Sequence, residues 1–337
     1  MSRVLDHLRG SVYRTARYVA TSAGFEESVW GRKVLARLNI IGEKVGRMLV
    51  LRGRPFKVDG HLMYLAGRSG PSVSFSTELL SERYEPETGK ILKEILRPGM
   101  NVLDIGAHVG CHALLAARLV GPEGKVYAFE AAPDNFALLQ KNIALNGYRN
   151  ILPVPKAVAE KTGTVTFCLS PEGNDRNSIY ASSRAGELKK TLEVPAVSLD
   201  DFLEEEGWPK IDFVKIDVEG AEPLVLKGMT RLLDRSSEIT LIAEFAPACI
   251  RDGGCAPAGF LEALANCGFQ IHVLDGEGAS TPLHSGRFAN FAKQVELEGM
   301  KNLVCYRQTN RPVAVEKIGQ GPASPCSALF PAAEGAK

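Results

Sequence analysis

Two acids and two glycines carry the clearest chemical signal in this sequence. The apolar run NVLDI (101–105) contains Asp104 and breaks at Gly106 into a short loop, Ala107-His108-Val109, that closes on Gly110. Glu130 ends the next apolar run, KVYAFE (125–130), 20 residues after Gly110. Glycine lacks the Cβ that would obstruct a tight reversal or a close-lying ligand. A helix starting after Gly110 would offer unpaired N–H groups to such a ligand. The dinucleotide fingerprint GxGxxG is missing, because Ala107 and His108 stand where a pyrophosphate needs its second glycine. Asp104 would repel phosphates and attract an ammonium or a sulfonium. Glu130 is placed to accept the hydroxyls of a ribose. Together these features describe a nucleoside with a cationic tail, and S-adenosylmethionine is such a molecule.

A second acid-rich stretch is KIDVEGAE (215–222). Asp217 is expected at the carboxyl end of a strand, IDFVKID (211–217), opening into the same cleft, with Glu219 and Glu222 on the following turn and helix. Asp217 or Glu219 is the candidate for orienting an acceptor or removing its proton. The alternative for Asp217 is a cap on the helix that follows. Lys215 is read as alternating away from the cleft and pairing with a carboxylate. Glu244, at the end of EITLIAEF (238–245), is a second catalytic candidate on the acceptor side. His108 and His112 are four apart, as a metal pair could be, yet Gly110 lies between them and no third ligand is near in sequence. No metal is expected, and His108 is read as a base, an acceptor contact or a packing residue. Asn174 and Ser178 fall in the polar stretch 172–190, which is either a lid over the acceptor or an ordinary surface loop.

Elements that would position these residues follow from periodicity. Strands are expected at 101–105, 125–130, 151–158, 164–170, 211–217, 238–245, 269–275 and 301–307. Helices are expected at Cys111–Val120, Pro133–Asn146, Ala221–Leu233 and Phe260–Asn266. Apolar strands alternating with helices mean a parallel sheet covered on both faces, and ligands of such sheets bind beyond the carboxyl ends of the strands, where strand order switches.

The bulk properties restrict the setting. Residues 1–57 carry 12 Lys/Arg against 4 Asp/Glu, whereas 58–337 carry 28 against 35. Residues 1–51 read as two Arg-rich amphipathic helices, either packed on the main domain or touching a membrane surface or an acidic partner. The tail after about 311 is rich in Pro, Ala and Gly without apolar periodicity and is expected to be disordered. The Met1 end lacks a secretory pattern, and no apolar run approaches a membrane span. Seven scattered cysteines, odd in number and without a CxxC, point to reduced thiols in a cytoplasmic protein.

The blocks RYEPETGKILKEILRPGMNVLDIGAHVG (83–110), KVYAFEAAPDNFALLQKNIALNG (125–147), VSLDDFL (197–203) and IDFVKIDVEGAEPLVLKG (211–228), followed by Glu244 and GFQIHVLD (268–275), resemble the FkbM-type S-adenosylmethionine-dependent methyltransferases in content and order. The resemblance runs from about residue 75 to about 307. It implies a Rossmann-like seven-stranded α/β sheet whose last strand is antiparallel, with helices on both faces. It also implies methyl transfer, usually to a hydroxyl of a small molecule, sugar or glycan, or polyketide. Carried over residue by residue, it makes Glu85, next to Tyr84, the approach to the cofactor loop, and Asp104, Gly106, Ala107, His108 and Gly110 the loop itself. Glu130 becomes the ribose acid, and Asp217 borders the cofactor. Two positions depart from the family pattern: His108 replaces the usual Asn, and Ala131-Ala132 separate Glu130 from Pro133. The chain then divides into an N-terminal arm (1–70), a methyltransferase domain (71–310) and a tail (311–337). An NAD-dependent oxidoreductase is disfavoured by Asp104 and the absent glycine. A nucleic-acid methyltransferase is disfavoured by DVEG where amino-methylating enzymes carry Asn/Asp-Pro-Pro-aromatic, and by the net-acidic catalytic part. A non-catalytic methyltransferase-like scaffold remains the other alternative.

Overall fold

Strand β3 (Asn101–Ile105) pairs in parallel with β4 (Lys125–Phe129) on one side and with β9 (Phe213–Ile216) on the other. The computed structural model describes residues 55–65, 79, 84–169, 177–180, 190–276 and 278–308. Among these the main sheet has eight strands. From one edge it runs β5 (Ile151–Val154), β4, β3, β9, β10 (Glu238–Phe245), β13 (Lys301–Gln308), β11 (Gln270–Leu274) and β12 (Ser280–Pro282). Strand β13, last in the chain, is antiparallel to both β10 and β11. Seven of these strands form the expected α/β sheet, and β12 is an added antiparallel edge. Strand order switches between β3 and β9, and a crevice at such a switch is where this class of sheet binds ligands.

Side chains alternate between two cores, one on each face. Val102, Phe213, Ile242 and Val304 pack under the helices α1 (Pro86–Ile95), α2 (Cys111–Val120) and α3 (Pro133–Asn146). Leu103, Ile105, Val214 and Ile216 pack with Leu199, Phe202, Val225 and Leu233 on the other face. Period-two alternation therefore sends Asp104, Lys215 and Glu244 to the face covered by α1 and α2, at the carboxyl end of the sheet.

Several elements differ from expectation. The helix expected over Ala221–Leu233 is two short helices, α5 (Glu222–Lys227) and α6 (Thr230–Arg235). The cause is the buried carboxylate of Asp200, from the α4 (Leu199–Glu205) turn. It accepts the N–H groups of Arg231 and Leu232 at 2.8 Å each and so starts a new helix. Residues 151–158 divide at Pro155-Lys156, and β6 (Ala157–Val158) joins a separate three-stranded sheet with β7 (Gly163–Leu169) and β8 (Lys190–Val197). Residues 56–63, placed in the arm by sequence, form a hairpin of β1 (Phe56–Val58) and β2 (His61–Met63). The helices expected at 1–51, the tail from 311 and Asn174 lie outside the described residues.

The hairpin is bound by two asparagines one turn apart on α3. Asn142 accepts the Tyr64 N–H at 2.7 Å and donates to the Tyr64 carbonyl and, at 2.8 Å, to the Val109 carbonyl in the glycine loop. Asn146 makes the corresponding pair with Leu62. Asn142 is buried, so its loss strands several main-chain groups. Asn142→Ala is expected to lower stability by about 2 kcal/mol or more, read as a reduced urea midpoint with an unchanged m-value.

Candidate active site

The glycine loop is shaped by what it must pass. Gly106 has φ 84°, and a Cβ there would run into the carbonyl of Asp217, the residue that follows β9. The first loop and the β9 turn can therefore approach only through glycine. Gly110, with φ 96°, caps α2, and a Cβ would lie 2.7 Å from Leu139. His108 also has positive φ, at 52°. Its N–H donates to Glu130 Oε2 at 2.9 Å, while Glu130 Oε1 accepts from Ala132 N–H at 2.8 Å and from Asn135 Nδ2. Glu130 thus bridges the loop to the start of α3. Burial pushes its carboxyl up to about 7, against the opposing pull of those hydrogen bonds.

Gly106, His108, Glu130, Asp217 and Glu219 line one crevice of about 640 Å³ including its mouth. At the Glu130 end, Phe129, Val158 and Phe167 form an apolar wall, suited to a flat base. From the 172–190 stretch, Asn177 and Ile179 line the crevice. Ser178 pairs with Cys168 of β7, and its hydroxyl donates to the Glu219 carbonyl at 2.8 Å.

Beside the crevice, off its lining, a largely buried cluster at the carboxyl edge of the sheet holds a surplus of negative charge. Asp104 is 2% exposed, and neither of its oxygens has a hydrogen-bond partner among the described residues. Burial raises its pKa to about 6; Lys215 pulls it down and Asp217 adds to the rise. Glu85 sits at φ 39° just before α1, and burial raises it to about 7, partly offset by Lys215. Glu244 is buried with one unpartnered oxygen and is held well above the carboxylate range by burial and then by the charges of Glu219, Asp217 and Glu222. Against these stands Lys215, 4% exposed, which gives a hydrogen bond to Asp217 Oδ2 at 2.9 Å. Burial works to lower this lysine, and Asp217, Glu85 and Asp104 outweigh it, so the ammonium is held above its usual range.

Lys215 pairs with a carboxylate, as expected, and is not among the residues lining this crevice. Residues 215 and 217 share a face because the chain stays extended to the strand end, and the two side chains meet there. Asp217 does not take the helix-cap role that sequence offered as an alternative: α5 has no side-chain cap, and Glu222 Oε1 instead closes the turn before it, accepting from Val218 N–H at 3.1 Å and Gly220 N–H at 3.2 Å. Sequence reading did not single out this use of Glu222, nor Asn135. The signal for the first was an acid two residues after Gly220, able to close its own turn.

His112 is stacked on Tyr84 at 5.6 Å between ring centroids, with Nε2 3.9 Å from Glu85, and burial holds it well below its usual pKa, hence neutral. Among the described residues no group of three or more His, Cys, Asp or Glu is placed to hold a metal ion. A crevice with an apolar wall and a loop open to close approach, beside buried carboxylate oxygens that have no hydrogen-bond partner among the described residues, fits a ligand with a planar base and a cationic end.

Comparison with known proteins gives the same direction. Residues 104–271 match the family model described as the Methyltransferase FkbM domain. A hexuronic acid methyltransferase, AglP of Haloferax volcanii, is 28% identical over 176 residues, covering 50% of this chain and 69% of the relative. Methyltransferase sdnD of Sordaria araneosa is 30% identical over 38% of this chain and 60% of its own length. The 31-O-demethyl-FK506 methyltransferase FkbM of Streptomyces tacrolimicus is 30% identical over 40% of this chain and 61% of its own. The match thus spans about three-fifths of the last two relatives. Among solved structures, a SAM-dependent O-methyltransferase of Thermotoga maritima aligns over 68% of this chain and 67% of its own, with TM-score 0.39 and 12% identity.

The raised carboxyls make stability depend on pH. Asp104 at about 6 and Glu85, Glu130 and Glu222 at about 7 keep protons in the folded state that the unfolded chain releases near pH 4. Their contribution is fully present below about pH 4 and is lost as pH rises through the folded values. Asp104→Asn should therefore gain stability relative to wild type between pH 5 and pH 8. Thermal melts across that range check this, and a constant difference between the two proteins would refute it.

Proposed function

Because this chain belongs, through residues 104–271, to the FkbM methyltransferase family, we propose that it transfers a methyl group from S-adenosylmethionine to a hydroxyl of a small molecule, sugar or glycan, or polyketide-like acceptor. The observation that carries this reading is Asp104: a buried carboxyl with no hydrogen-bond partner among the described residues, in a cluster with more acids than cations. Such a cluster accommodates a sulfonium and an ammonium and disfavours a pyrophosphate.

In this reading the crevice divides by chemistry. Glu130 and Asn135 take the ribose beside the apolar wall. Gly106, Ala107, His108 and Gly110 let the donor lie against the loop backbone. Glu85 and Asp104 face its charged end. The bound donor supplies a methyl group already activated by positive sulfur, so the protein's part is to align an oxygen nucleophile and exclude water. Asp217, whose side chain is 19% exposed, and Glu219 face the acceptor. Asp217 is the group assigned to orient its hydroxyl or take its proton. Glu244, buried behind them, supports that end of the site.

The acceptor classes follow the relatives, one of which acts on hexuronic acid and another on 31-O-demethyl-FK506. No helix among the described residues is long and apolar enough to cross a membrane, and the six described cysteines are free thiols. We place the reaction in the cytoplasm, with residues 71–310 and the hairpin as its unit and no nucleic acid as acceptor.

The test is calorimetry with S-adenosylmethionine, followed by methyl-labelled donor offered to a panel of sugars, uronic acids and hydroxylated polyketides. Asp104→Ala and Glu130→Ala should each weaken donor binding tenfold or more, on the order of 1.4 kcal/mol. Asp217→Asn should keep donor affinity and lower turnover by about a hundredfold. Stabilisation by NAD and not by S-adenosylmethionine would overturn the assignment.

A further inference from the structure

Ser178 is 4% exposed, and its hydrogen bonds join two sheets that share no strand. Its main chain bridges Cys168 of β7 in both directions, accepting the Cys168 N–H at 2.7 Å and donating to the Cys168 carbonyl at 3.1 Å. Its hydroxyl accepts the Tyr180 N–H at 3.1 Å and donates to the Glu219 carbonyl at 2.8 Å, with a longer approach to the Val218 carbonyl at 3.4 Å. The main chain thus anchors this segment to the three-stranded sheet, and the side chain reaches the turn that follows β9 of the main sheet. A buried hydroxyl is costly unless hydrogen-bonded, and this one spends its single donor on that turn.

The turn needs to be held. Glu219 has φ 52° and Gly220 φ 100°, and a left-handed conformation at a residue with a Cβ persists only where the surroundings enforce it. Glu222 takes the Val218 and Gly220 N–H groups. Cys249, on the helix Pro247–Asp252, donates its thiol to Glu219 Oε2 at 3.7 Å, and its carbonyl lies where a Cβ on Gly220 would fall. Ser178 holds the Glu219 carbonyl, and of these three residues it alone connects the turn to the small sheet. Its neighbours Asn177 and Ile179 line the crevice together with Asp217 and Glu219. One hydroxyl therefore ties two walls of the crevice to each other.

We propose that Ser178 is a positioning residue for methyl transfer: its hydroxyl sets the Asp217–Glu219 turn against the Asn177–Ile179 wall, so that an acceptor hydroxyl between them lies in line with the methyl group. The proposal rests on the methyl-transfer reading. Ser178 acts through the Glu219 carbonyl and touches neither donor nor acceptor. Among the described residues its hydrogen bonds reach neither Asp104, Glu130 nor the glycine loop. Donor binding should therefore survive its loss while alignment does not, and a misplacement of about 1 Å can cost about a hundredfold in rate.

The experiment compares wild type, Ser178→Ala and Ser178→Thr, which keeps the hydroxyl. Hydrogen–deuterium exchange needs no ligand: Ser178→Ala should exchange about tenfold faster over 177–180 and 217–222 and be unchanged over 101–110 and 125–135. All three proteins should bind S-adenosylhomocysteine within about threefold of one another by calorimetry. With methyl-labelled donor and the panel of sugars, uronic acids and hydroxylated polyketides, Ser178→Ala should lose about ten- to a hundredfold in kcat, and Ser178→Thr should stay near wild type. Unchanged exchange over 217–222 in Ser178→Ala, or a loss that Ser178→Thr shares, overturns the proposal. A matching loss of S-adenosylhomocysteine binding does so too, because Ser178 would then support the site as a whole. If Ser178→Ala does not fold, Ser178→Cys, of similar size with a weaker donor, takes its place with the same expected order. If wild type methylates no panel member, the exchange result decides. Failure of wild type to bind S-adenosylhomocysteine would instead remove the methyl-transfer reading, with the hold on the turn still judged by exchange.

Discussion

Lys215 is buried among more carboxylates than it can neutralise, and the carboxyl edge of the sheet is built around that imbalance. Asp104, Glu85, Glu222 and Glu244 each feel the charge of Asp217, and Lys215 is spent chiefly on Asp217. Uncompensated buried charge costs free energy that the fold must carry in the free state. The acids respond by holding protons at pH values where exposed carboxyls have lost them. A cationic ligand would relieve the same strain by supplying the missing charge, and whatever binds the folded state alone stabilises it. The same feature that burdens the fold thus gives the crevice a preference among ligands.

The arrangement depends on backbone register more than on any one contact. Asp104 faces Lys215 because β3 and β9 pair at that register, and period-two alternation turns both toward the α1 face. A slip by one residue would send both into the opposite apolar core, so the hydrophobic residues that flank them, Leu103 and Ile105 on β3 and Val214 and Ile216 on β9, fix where the charges point. Gly106 completes the geometry by letting the first loop close against the Asp217 carbonyl.

Much of this was legible in the chain. Strand β3 and helices α2 and α3 have the bounds that periodicity and the Pro133 start signal indicated, because each is apolar on the face it buries and has clear punctuation. Strand β8 was not legible. Its first half, from Lys190, is largely exposed, and its order comes from pairing with β7, a partner more than 20 residues away. The break between α5 and α6 was hidden for a related reason: the capping carboxylate of Asp200 comes from another element, and local sequence does not report it. For Lys215 the expected pairing with a carboxylate holds, the partner being Asp217, and its side chain lies off the lining of the main crevice.

The division of labour after β9 follows from the same geometry. A strand that ends at a turn leaves N–H groups to be satisfied, and an acid at its end would ordinarily be drawn to them. Glu222 takes the Val218 and Gly220 N–H groups instead, and Glu219 turns its carbonyl to Ser178. Asp217 is thereby excused from closing the turn. One of its oxygens is held by Lys215, and its side chain stays partly open at the crevice. A carboxylate fixed at one oxygen and excused from capping is oriented without being consumed, which is the condition for a group that must meet a second molecule.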